Sequence, residues 1–451
     1  MLEDSTHDRN CDSPPPRETK EAANCGVDIV VVGAGAAGLF AAIAAAKASC
    51  SVVVIERNSK PGVKILASGG GRCNLTTTRS GATLLASYPE HQRKFLRSAL
   101  AALPPSALVR WFEERGVPTQ VEDYEKVFPS AGRARVVLEA LLKEAARLGV
   151  SVQCGVRVGR VSRLAEGFEV WGNGAPMARA SAVVLAAGGE SYPKAGTTGD
   201  GVALAATFGH RVTPRFPALV GLQLMTPLPH LAGITVPTVR LFARIHGKRL
   251  GTTDRPILFT HRGVSGPGPM NLSGVFAEAA GGDLEVDWVP DRDHAALDEH
   301  LLQAIRRHGK RALSDALDLD LPARLVQWLL RESAIAGESP AQALRKEERK
   351  RLVSLLKATV LPVAGTMGYD HAEVTRGGVD LSEVDPKTME SRLCPGLFLC
   401  GELLDVDGPI GGFNFQAAFG TGLLAGLAAG KRFAGLPMRP VVPASDGSGV
   451  P

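Results

Sequence analysis

An apolar stretch without a charged residue, residues 29–46, changes character in its middle. Its first part, Ile29–Val32, consists of β-branched residues, its last part is rich in alanine, and three glycines stand between them. This order predicts a buried strand, a tight turn and a buried helix. The stretch has 18 residues, close to the roughly 20 that span a bilayer. Because the glycine turn divides it, we predict no transmembrane segment and no membrane partner.

Two other patterns follow later in the chain. Between residues 207 and 291, short apolar runs such as Val239–Ala243 alternate with polar positions and are separated by glycine and proline, which predicts a β-rich region. Between residues 292 and 361, apolar residues recur at helical spacing, which predicts a helical region. The charged run at 345–351 mixes two glutamates with basic residues and is typical of a solvated helix face.

A glycine pattern, DIVVVGAGAAG from residue 28, lies at the predicted turn. Gly33 permits the tight turn, Gly35 lets the backbone approach a pyrophosphate, and Gly38 lets the helix pack close to the strand. The start of the helix would direct free N–H groups at the phosphates. The pattern therefore predicts a Rossmann-type dinucleotide site, with a glycine-rich turn in an unrelated α/β protein as the alternative.

A second predicted strand, residues 52–55, ends at Glu56. This carboxylate follows Gly33 at about the separation expected of a ribose-binding acid. It can accept hydrogen bonds from both ribose hydroxyls, and its charge would repel a 2′-phosphate. Strand, turn, helix, second strand and terminal acid together make the dinucleotide interpretation more specific than the glycines alone.

Three later segments favour FAD over NAD as the bound dinucleotide. The first is a predicted loop after Glu56, in which Ser68–Asn74 carries consecutive glycines whose N–H groups suit an anion or a flavin edge. Arg72 adds a permanent positive charge to it. The second segment is a buried strand that ends at Gly188–Gly189 and can return the chain to the cofactor.

The third segment lies near the C-terminus. There Gly401–Glu402 follows a strand, Gly411–Asn414 forms a turn after an acidic loop, and a small-residue helix is predicted from about 417 to 429. A helix start in this place can face the flavin edge where negative charge develops on reduction. A second complete dinucleotide fingerprint is absent from the sequence, so an FAD domain split along the chain explains the pattern better than an NAD site.

Composition narrows the class of protein. With 45% hydrophobic and 22% charged residues among 451, the chain has a globular composition and is long enough for about two or three domains. The net charge of +5 is small for this length and both signs are mixed along the chain, so we predict no nucleic-acid partner. The seven cysteines include no C-x-x-C pair, which predicts no metal site and favours a reducing cytoplasm.

At these motifs the sequence resembles the bacterial BaiN-like family of NAD(P)/FAD-dependent oxidoreductases, the aminoacetone-oxidase-like flavoproteins, over about residues 27–432. The most specific segments are ASGGGRCNLT (67–76), TTGDGVALAATFGH (197–210), FTHRGVSGPG (259–268) and a long segment at 374–426. Glutathione-reductase-type flavoproteins are more distantly similar. The resemblance implies an oxidoreductase with non-covalently bound FAD, and it makes NAD(P)H a candidate electron donor.

The resemblance also implies the fold class. It is α/β, with a glutathione-reductase-like Rossmann domain for FAD that is interrupted by a β-barrel-like insert and a helical insert. The corresponding division of the chain is a disordered extension (1–26), the FAD-binding domain, first part (27–206), a β-rich insert (207–291), a helical insert (292–361), the FAD-binding domain, second part (362–435), and a flexible tail (436–451).

The motifs and the resemblance together assign a set of residues to the FAD site. Most are glycines, small residues or side chains that form hydrogen bonds, and the resemblance adds Val158 as a backbone contact of adenine. The predicted set is Gly33, Gly35, Ala36, Ala37, Gly38, Glu56, Arg57, Lys64, Ser68, Gly69, Gly70, Gly71, Arg72, Cys73, Asn74, Val158, Ala187, Gly188, Gly189, Gly401, Glu402, Asp407, Gly411, Gly412, Phe413 and Asn414.

The catalytic side chains are less well defined, because the isoalloxazine ring carries the redox chemistry and requires no triad. Candidates that face a substrate are Cys73, Tyr192, His371 and Arg376. Arg72 would lower the pKa of the Cys73 thiol, but no second cysteine is near in the sequence, so a packed loop cysteine is the favoured alternative.

Two functions stay open at this point. The first is an FAD-dependent oxidoreductase that acts on a small organic substrate, and the second is a flavin-binding redox sensor or scaffold without turnover. A substrate-sized cavity over the flavin would favour the enzyme, whereas a flavin face covered by side chains would favour the sensor. An RNA-modifying flavoprotein is a weaker third interpretation because the charge is balanced. The sequence leaves the substrate and the oligomeric state open.

Overall fold

The computed structural model describes residues 26–433, and the predicted tail at 436–451 lies outside them. The predicted extension at 1–26 also lies outside them, except for Gly26, which begins a strand. The predicted strand, turn and helix at residues 29–46 form β1 (Gly26–Val32) and α1 (Ala36–Ala46). The region up to residue 207 continues with β2 (Val52–Ile55), α2 (Val63–Gly71), β3 (Thr76–Thr77), α3 (Gly81–Ala86), α4 (Glu90–Ala102), α5 (Pro105–Glu113), β4 (Thr119–Glu122), β5 (Lys126–Pro129), α6 (Ala134–Arg147), β6 (Ser151–Gln153), β7 (Val158–Arg163), β8 (Phe168–Gly172), β9 (Ala175–Leu185) and α7 (Asp200–Thr207).

The middle and the end of the chain follow in the same order. The middle contains β10 (Phe216–Ala218), β11 (Leu222–Leu224), β12 (Thr235–Val236), β13 (Arg240–Ile245), β14 (Lys248–Thr253), β15 (Ile257–Phe259), β16 (Gly263–Ser265), α8 (Pro267–Glu278) and β17 (Gly282–Asp287). The end contains α9 (His294–His308), α10 (Leu313–Ala316), α11 (Ala323–Glu332), α12 (Lys346–Lys357), β18 (Thr359–Thr366), β19 (Val374–Arg376), β20 (Leu397–Leu399) and α13 (Phe413–Lys431).

A seven-stranded sheet organises the first core. Its order is β6-β2-β1-β9-β8-β7, and β20 pairs with β9. Strands β1, β2, β6, β9 and β20 pair in parallel, whereas β7 and β8 are antiparallel. Parallel strands covered on both faces have continuous apolar sequences, which explains why Ile29–Val32 and Val52–Ile55 show no alternation. The carboxyl ends of these strands share one edge, the usual place of a ligand in an open α/β sheet.

Helices α1 and α13 pack directly against each other beside this sheet. A Cβ atom on Gly426 would lie 2.1 Å from the carbonyl oxygen of Ala41, so only a residue without a side chain fits there. Every residue of α1 is buried, which agrees with the alanine-rich sequence predicted to form a buried helix. The predicted C-terminal helix is longer than the expected 417–429, because it begins at Phe413 and ends at Lys431.

A second core lies in the middle of the chain. Its sheet has eight strands in the order β12-β15-β16-β11-β18-β17-β13-β14, and its buried residues include side chains of α9, α11 and α12. Most strands and helices lie where the two sequence patterns predict them, but α8 lies inside the β-rich region and β18 begins inside the region predicted to be helical. The boundaries of the predicted domains stay a prediction.

The chain passes between the two cores through β10 and β19, which pair in an antiparallel two-stranded sheet. A further sheet has three strands in the order β3-β5-β4. It packs against the turn before α13, where a Cβ atom on Gly412 would lie 2.3 Å from the carbonyl oxygen of Thr76 in β3. Lys126 and Phe128 of β5 and Val374 of β19 therefore lie near the edge where β1, β2, β9 and β20 end.

Candidate functional site

A cavity of about 630 Å³ follows the carboxyl ends of the parallel strands. It is lined by Val32 and Gly33 at the end of β1, by Ile55 and Glu56 at the end of β2, by Ala186–Gly188 after β9 and by Gly401 after β20. This volume lies within the range of roughly 300–1,000 Å³ that is typical of ligand sites. The cavity is therefore the candidate site, at the edge that the fold makes available.

The three glycines of the first motif have three different surroundings. Gly33 has φ +106°, and a Cβ atom there would lie 2.5 Å from the carbonyl oxygen of Ala186. A Cβ atom on Gly38 would lie 1.9 Å from the carbonyl oxygen of Gly33, so Gly38 permits the close contact of helix and strand. A Cβ atom on Gly35 would meet no atom within 4 Å, because Gly35 faces the cavity at the start of α1. The open space over Gly35 and the N–H groups of the first turn fit a pyrophosphate.

Glu56 lies at the end of β2, as predicted, and its carboxylate is held by two backbone groups. The N–H of Ala34 donates to Oε2 at 2.8 Å, and the N–H of Asn58 donates to Oε1 at 2.9 Å. These bonds orient the carboxylate at the cavity wall and couple the turn after β1 to the end of β2. Each oxygen keeps a further lone pair, which ribose hydroxyls can use.

Ion pairs line the cavity as well. Arg57 and Arg157 both contact Asp200, at 3.1 and 2.8 Å, where α7 begins. The bonded Arg157 side chain lowers the pKa of Asp200 most strongly, although burial acts in the opposite direction. Sequence reasoning missed Arg157 and Asp200, although Asp200 lies inside the segment 197–210 that carries the resemblance.

The segment predicted as a loop after Glu56 contains a helix, and this part of the prediction was wrong. The sequence VKILA begins α2, and Ser68, Gly69 and Gly70 then leave helical geometry, with φ +56° and +66° at the two glycines. The apolar side chain of Ile65 is buried, and it anchors the short helix. The turn at the end of α2 lines the cavity as expected.

Lys64, on α2, connects three elements at the cavity wall. Its ammonium group donates to Ser191 Oγ at 2.7 Å and forms an ion pair with Glu402. Glu402 also accepts from the backbone N–H of Thr375 at 2.9 Å and from Ser191 Oγ at 2.6 Å. This network fixes the end of β20 against β19, so that the Glu402 carboxylate is oriented by donors from α2, from Ser191 and from β19.

The turn at Gly411–Asn414 forms another wall of the cavity. Gly411 and Gly412 have φ +136° and +88°, and Gly412 precedes α13. Asn414 fixes the turn, because its side chain accepts from the N–H of Gly408 at 2.8 Å and donates to the carbonyl oxygen of Gly408 at 2.9 Å. Backbone N–H groups at the start of α13 therefore lie along the cavity, where a helix N-terminus favours negative charge.

A third wall comes from β5, from the residue after β10 and from the segment that contains the predicted candidate His371. Lys126 and Phe128 of β5, Leu219 after β10, and Asp370–Val374 before and in β19 all line the cavity. Protein surrounds the Glu373 side chain on most sides, and the side that is left open faces the cavity. Its carboxyl group forms no hydrogen bond or ion pair with any residue in 26–433. Burial raises the pKa of Glu373, and the charges of Lys64 and Lys126 act against that rise.

Most of the predicted FAD-site residues meet at this one cavity. Those that line it are Gly33, Gly35, Ala36, Ala37, Glu56, Arg57, Lys64, Ser68, Gly69, Gly70, Arg72, Asn74, Val158, Ala187, Gly188, Gly401, Glu402, Gly411, Gly412 and Asn414. Those that lie outside its lining are Gly38, Gly71, Cys73, Gly189, Asp407 and Phe413. Asp407 accepts a hydrogen bond from Gln92 Nε2 at 2.8 Å, and the Phe413 ring packs against Tyr88 with the ring centroids 6.0 Å apart.

The four catalytic candidates divide into two pairs. Tyr192 and His371 line the cavity. Arg376 lies outside its lining, with Nε 3.7 Å from Glu278 on α8. Cys73 is fully buried, and burial raises the pKa of its thiol to about 12, opposite to the effect predicted for Arg72.

Two kinds of feature are absent from the part of the chain that the structure describes. Residues 26–433 contain no group of three or more His, Cys, Asp or Glu side chains arranged to hold a metal ion. No helix in the same range has the length and apolar character needed to cross a membrane.

Comparison with known proteins agrees with this geometry. The family model described as "HI0933-like protein Rossmann domain" matches residues 27–428. The 3-dehydro-bile acid delta(4,6)-reductase of Clostridium scindens is 34% identical over 412 residues, which cover 90% of this chain and 99% of that protein. The ribosomal RNA dihydrouridine synthase of Escherichia coli is 34% identical over 401 residues, which cover 87% of this chain and 96% of that protein.

A solved structure shares the fold. The 3-ketosteroid delta1-dehydrogenase of Sterolibacterium denitrificans superposes with a TM-score of 0.50 at 14% identity, covering 91% of this chain and all of that one. The mixed α/β fold with a Rossmann-like FAD-binding domain, predicted from the motifs, is confirmed. The chain therefore belongs to the HI0933-like Rossmann family of flavoproteins and is an FAD-dependent oxidoreductase.

Proposed function

We propose that the protein transfers hydride between FAD in this cavity and a carbon–carbon double bond conjugated to a carbonyl group of a small organic substrate. The observation that carries this proposal is the unpartnered carboxyl group of Glu373, which faces the same cavity as the glycine turns of the dinucleotide site. A reaction of this kind needs a hydride on one carbon of the double bond and a proton on the other.

The FAD contacts follow from the surroundings described above. The pyrophosphate would lie over Gly35 and the start of α1, and the adenosine ribose would lie at Glu56, near Val158. The flavin end would lie between Glu402 and the turn at Gly411–Asn414. The bound and reduced flavin supplies the hydride. Side chains of this protein bind and orient the two reactants and supply the proton.

Glu373 has the environment of a proton donor. A carboxyl group whose pKa is raised by burial stays protonated closer to neutral pH, which suits general acid catalysis. In the reduction, its proton goes to the carbon next to the carbonyl group while the hydride is added at the other carbon, and the double bond becomes a single bond. In the reverse direction the carboxylate accepts the same proton. The nearby Lys64 and Lys126 would stabilise the carboxylate that the reduction leaves.

The relatives support the choice of bond. A 3-dehydro-bile acid with delta(4,6) double bonds has those bonds conjugated to its 3-keto group, and dihydrouridine is uridine with the double bond beside a carbonyl saturated. These activities belong to the relatives. Their shared bond type, together with the identity along nearly all of this chain, makes a conjugated carbonyl compound the best-supported substrate class.

The space in the cavity favours an enzyme over a redox sensor or scaffold. Lys126, Phe128, Leu219 and His371 line the cavity in addition to the residues assigned to FAD, so its walls extend beyond the predicted FAD site. We further propose NADH or NADPH as the transient hydride donor, in line with the family resemblance.

A uracil base in RNA is the second candidate for the conjugated carbonyl group. The activity of the Escherichia coli relative suggests it, and the observation that favours it here is an exposed aromatic ring, Tyr124, between two cationic side chains near the cavity. The small net charge of +5 keeps the free small molecule as the first candidate.

The test is a pair of anaerobic half-reactions. The purified protein is mixed with NADH or NADPH and its flavin absorbance is followed, and the reduced protein is then mixed with a 3-keto-Δ4 steroid or with a uridine-containing RNA. Bleaching followed by recovery of the flavin bands, with a saturated product, is the expected result. A protein that binds no FAD would refute the cofactor assignment. A reducible flavin that no conjugated carbonyl compound reoxidises would refute the proposed reaction.

A further inference from the structure

A polar groove lies beside the flavin cavity, between the three-stranded sheet and the β13–β14 hairpin of the second core. It is lined by Arg79, Tyr124, Glu125, Arg240, Thr252, Thr253, Asp254 and Arg255. Lys126, the next residue after Glu125, lines the flavin cavity. The linings of the groove and the cavity therefore meet at two consecutive residues, Glu125 and Lys126.

The Tyr124 ring lies between two cations at this junction. The guanidinium carbon of Arg255 is 4.1 Å from the ring centroid, and Nζ of Lys126 is 5.5 Å from it. Tyr124 and Glu125 both adopt left-handed backbone angles, with φ +62° and +61°. Two consecutive non-glycine residues in this region are costly, and such strain is concentrated at functional sites. The strained turn keeps an exposed aromatic ring in the groove, next to Lys126 of the cavity lining.

The carboxylates of the groove are already engaged by other arginines. Asp254 accepts from both Nε and Nη2 of Arg240 at 2.8 Å, and Glu125 accepts from Nε of Arg79 at 2.7 Å. Arg255 and Lys126 form no hydrogen bond or ion pair with the residues described in 26–433. Their charges lie close to one another and to those of Arg79 and Arg72, with Glu122, Asp123 and Glu125 as the nearby acidic groups.

The pKa directions agree with this geometry. Burial lowers the pKa of Arg255, and Arg79 acts in the same direction, while Tyr124 and Glu125 oppose the effect. Burial also lowers the pKa of Lys126, and Arg255 and Arg72 add to the effect, while Glu122 opposes it. A bound anion would remove this unfavourable crowding of positive charge.

We propose that Arg255 and Lys126 bind an oxyanion of the substrate, with the Tyr124 ring as a platform for the adjoining part of the molecule. The oxyanion is a carboxylate on a small molecule or a phosphate of a polynucleotide, and its distance from the reacting bond would determine which substrates fit. This inference rests on the proposed function for the reacting end of the substrate, but binding at the groove can be measured without turnover.

The experiment uses the FAD-loaded protein and two probes. One is a 3-keto-Δ4 steroid with a side-chain carboxylate, compared with its methyl ester, and its binding is followed by the perturbation of the flavin spectrum. The other is a fluorescein-labelled single-stranded RNA that contains uridine, and its binding is followed by anisotropy. The variants are Arg255→Gln and Arg255→Lys, with Arg135→Gln as the control for loss of one exposed charge on α6.

We expect Arg255→Gln to weaken one of the two interactions about tenfold, as loss of a charge-assisted hydrogen bond does. Arg255→Lys should keep part of the affinity, and Arg135→Gln should keep all of it. A preference for the free acid over the ester that disappears in Arg255→Gln identifies a carboxylate, whereas a tenfold loss of RNA affinity identifies a phosphate. If Arg255→Gln fails to fold, inorganic pyrophosphate is added to the unmodified protein with either probe bound. Displacement of a probe supports the oxyanion site, and no displacement of either probe overturns it.

The inference would be overturned if Arg255→Gln bound both probes within about twofold of the unmodified protein, or if the latter bound no RNA and did not distinguish acid from ester. Failure of the proposed function looks different. In that case the anion would still bind in an Arg255-dependent way, but the reduced flavin would not be reoxidised by any conjugated carbonyl compound.

Discussion

Gly422 in α13 touches the backbone of Ala37 in the first turn of α1, and a Cβ atom on Gly422 would lie 2.4 Å from the Ala37 carbonyl oxygen. Ala37 lines the cavity, so the helix that ends the described chain directly supports the turn proposed to bind pyrophosphate. The backbone of one helix therefore fixes the position of the N–H groups at the start of the other.

The substitution Gly422→Ala tests this contact. We expect it to lower the free energy of unfolding by roughly 1–3 kcal/mol, because a methyl group must be forced into a filled space. It should also weaken FAD binding, since the first turn of α1 must move. Urea unfolding and FAD titration measure the two effects. The control is Gly159→Ala, whose Cβ atom meets nothing within 4 Å. Equal stability of the two variants would contradict the prediction.

Gly35→Val separates folding from cofactor binding. The backbone at Gly35, φ −83° and ψ −171°, suits any residue, and the added side chain would enter the cavity rather than the protein. We expect a thermal transition of the FAD-free variant close to that of the FAD-free unmodified protein, but FAD binding at least about tenfold weaker. Calorimetry and flavin absorbance check both parts. A variant that is purified with full flavin content would show that the pyrophosphate lies elsewhere.

Glu373→Gln tests the proton donor. We expect roughly a hundredfold slower reduction of a conjugated carbonyl substrate, within the range for loss of a general acid, at unchanged flavin content. Because burial raises the pKa of Glu373, the rate of the unmodified protein should fall as pH rises through that raised pKa. This decline should be absent in Glu373→Gln. Stopped-flow traces across pH measure it, with Asp370→Asn, which alters another residue of the cavity lining, as the control.

Glu144 in α6 provides a prediction on stability and pH. Its buried carboxylate accepts from Arg147 and Arg115 at 2.9 Å each, and these arginines lower its pKa to about 2. The stabilisation is complete above the unfolded pKa of about 4.3 and is lost as pH falls towards 2. Glu144→Gln should therefore lower the free energy of unfolding by roughly 1–3 kcal/mol at neutral pH. The loss should be smaller below about pH 4.

Denaturant unfolding at several pH values checks the Glu144 prediction. Glu139→Gln, on the same helix but with an exposed side chain, is the matched control and should change stability by less than about 0.5 kcal/mol. A difference between Glu144→Gln and the unmodified protein that stays constant across pH would contradict the assignment.

Cys73→Ala distinguishes the enzyme from a thiol-based sensor. The Cys73 side chain is buried, and its pKa is raised to about 12, so it carries almost no thiolate at neutral pH. We expect the variant to bind FAD and to be reduced by NAD(P)H at the rate of the unmodified protein. A loss of flavin reduction or of peroxide response in Cys73→Ala would support the sensor.

The local motifs were readable from the sequence because each depends on neighbouring residues. The change from β-branched residues to alanine predicts β1 and α1, and the contacts at Gly33 and Gly38 are made within one strand–turn–helix unit or with the adjacent strand. The sequence did not predict α2, because its five helical residues VKILA are followed by Ser68 and three glycines, which predict a loop.

The third wall of the cavity could not be predicted in the same way. Lys126 and Phe128 reach it because β5 pairs with β3, and Glu373 reaches it because β19 pairs with β10 across a long separation in sequence. No local pattern records such pairings. One signal was close, because the long segment that carries the resemblance begins at residue 374, directly after Glu373.

The contact between α1 and α13 also has a consequence for biosynthesis. Cys50, just beyond α1, donates through its thiol to the carbonyl oxygen of Gly430, a residue 380 positions later in the chain. Leu397 in β20 likewise pairs with Val183 in β9 only after the whole second core has been translated. During synthesis, the nascent Rossmann half therefore exposes one face of its buried helix and one edge of its sheet until β20 and α13 have left the ribosome. Capture of the flavin becomes a late event, and a chain that terminates before α13 should aggregate or be degraded rather than accumulate as an empty flavoprotein.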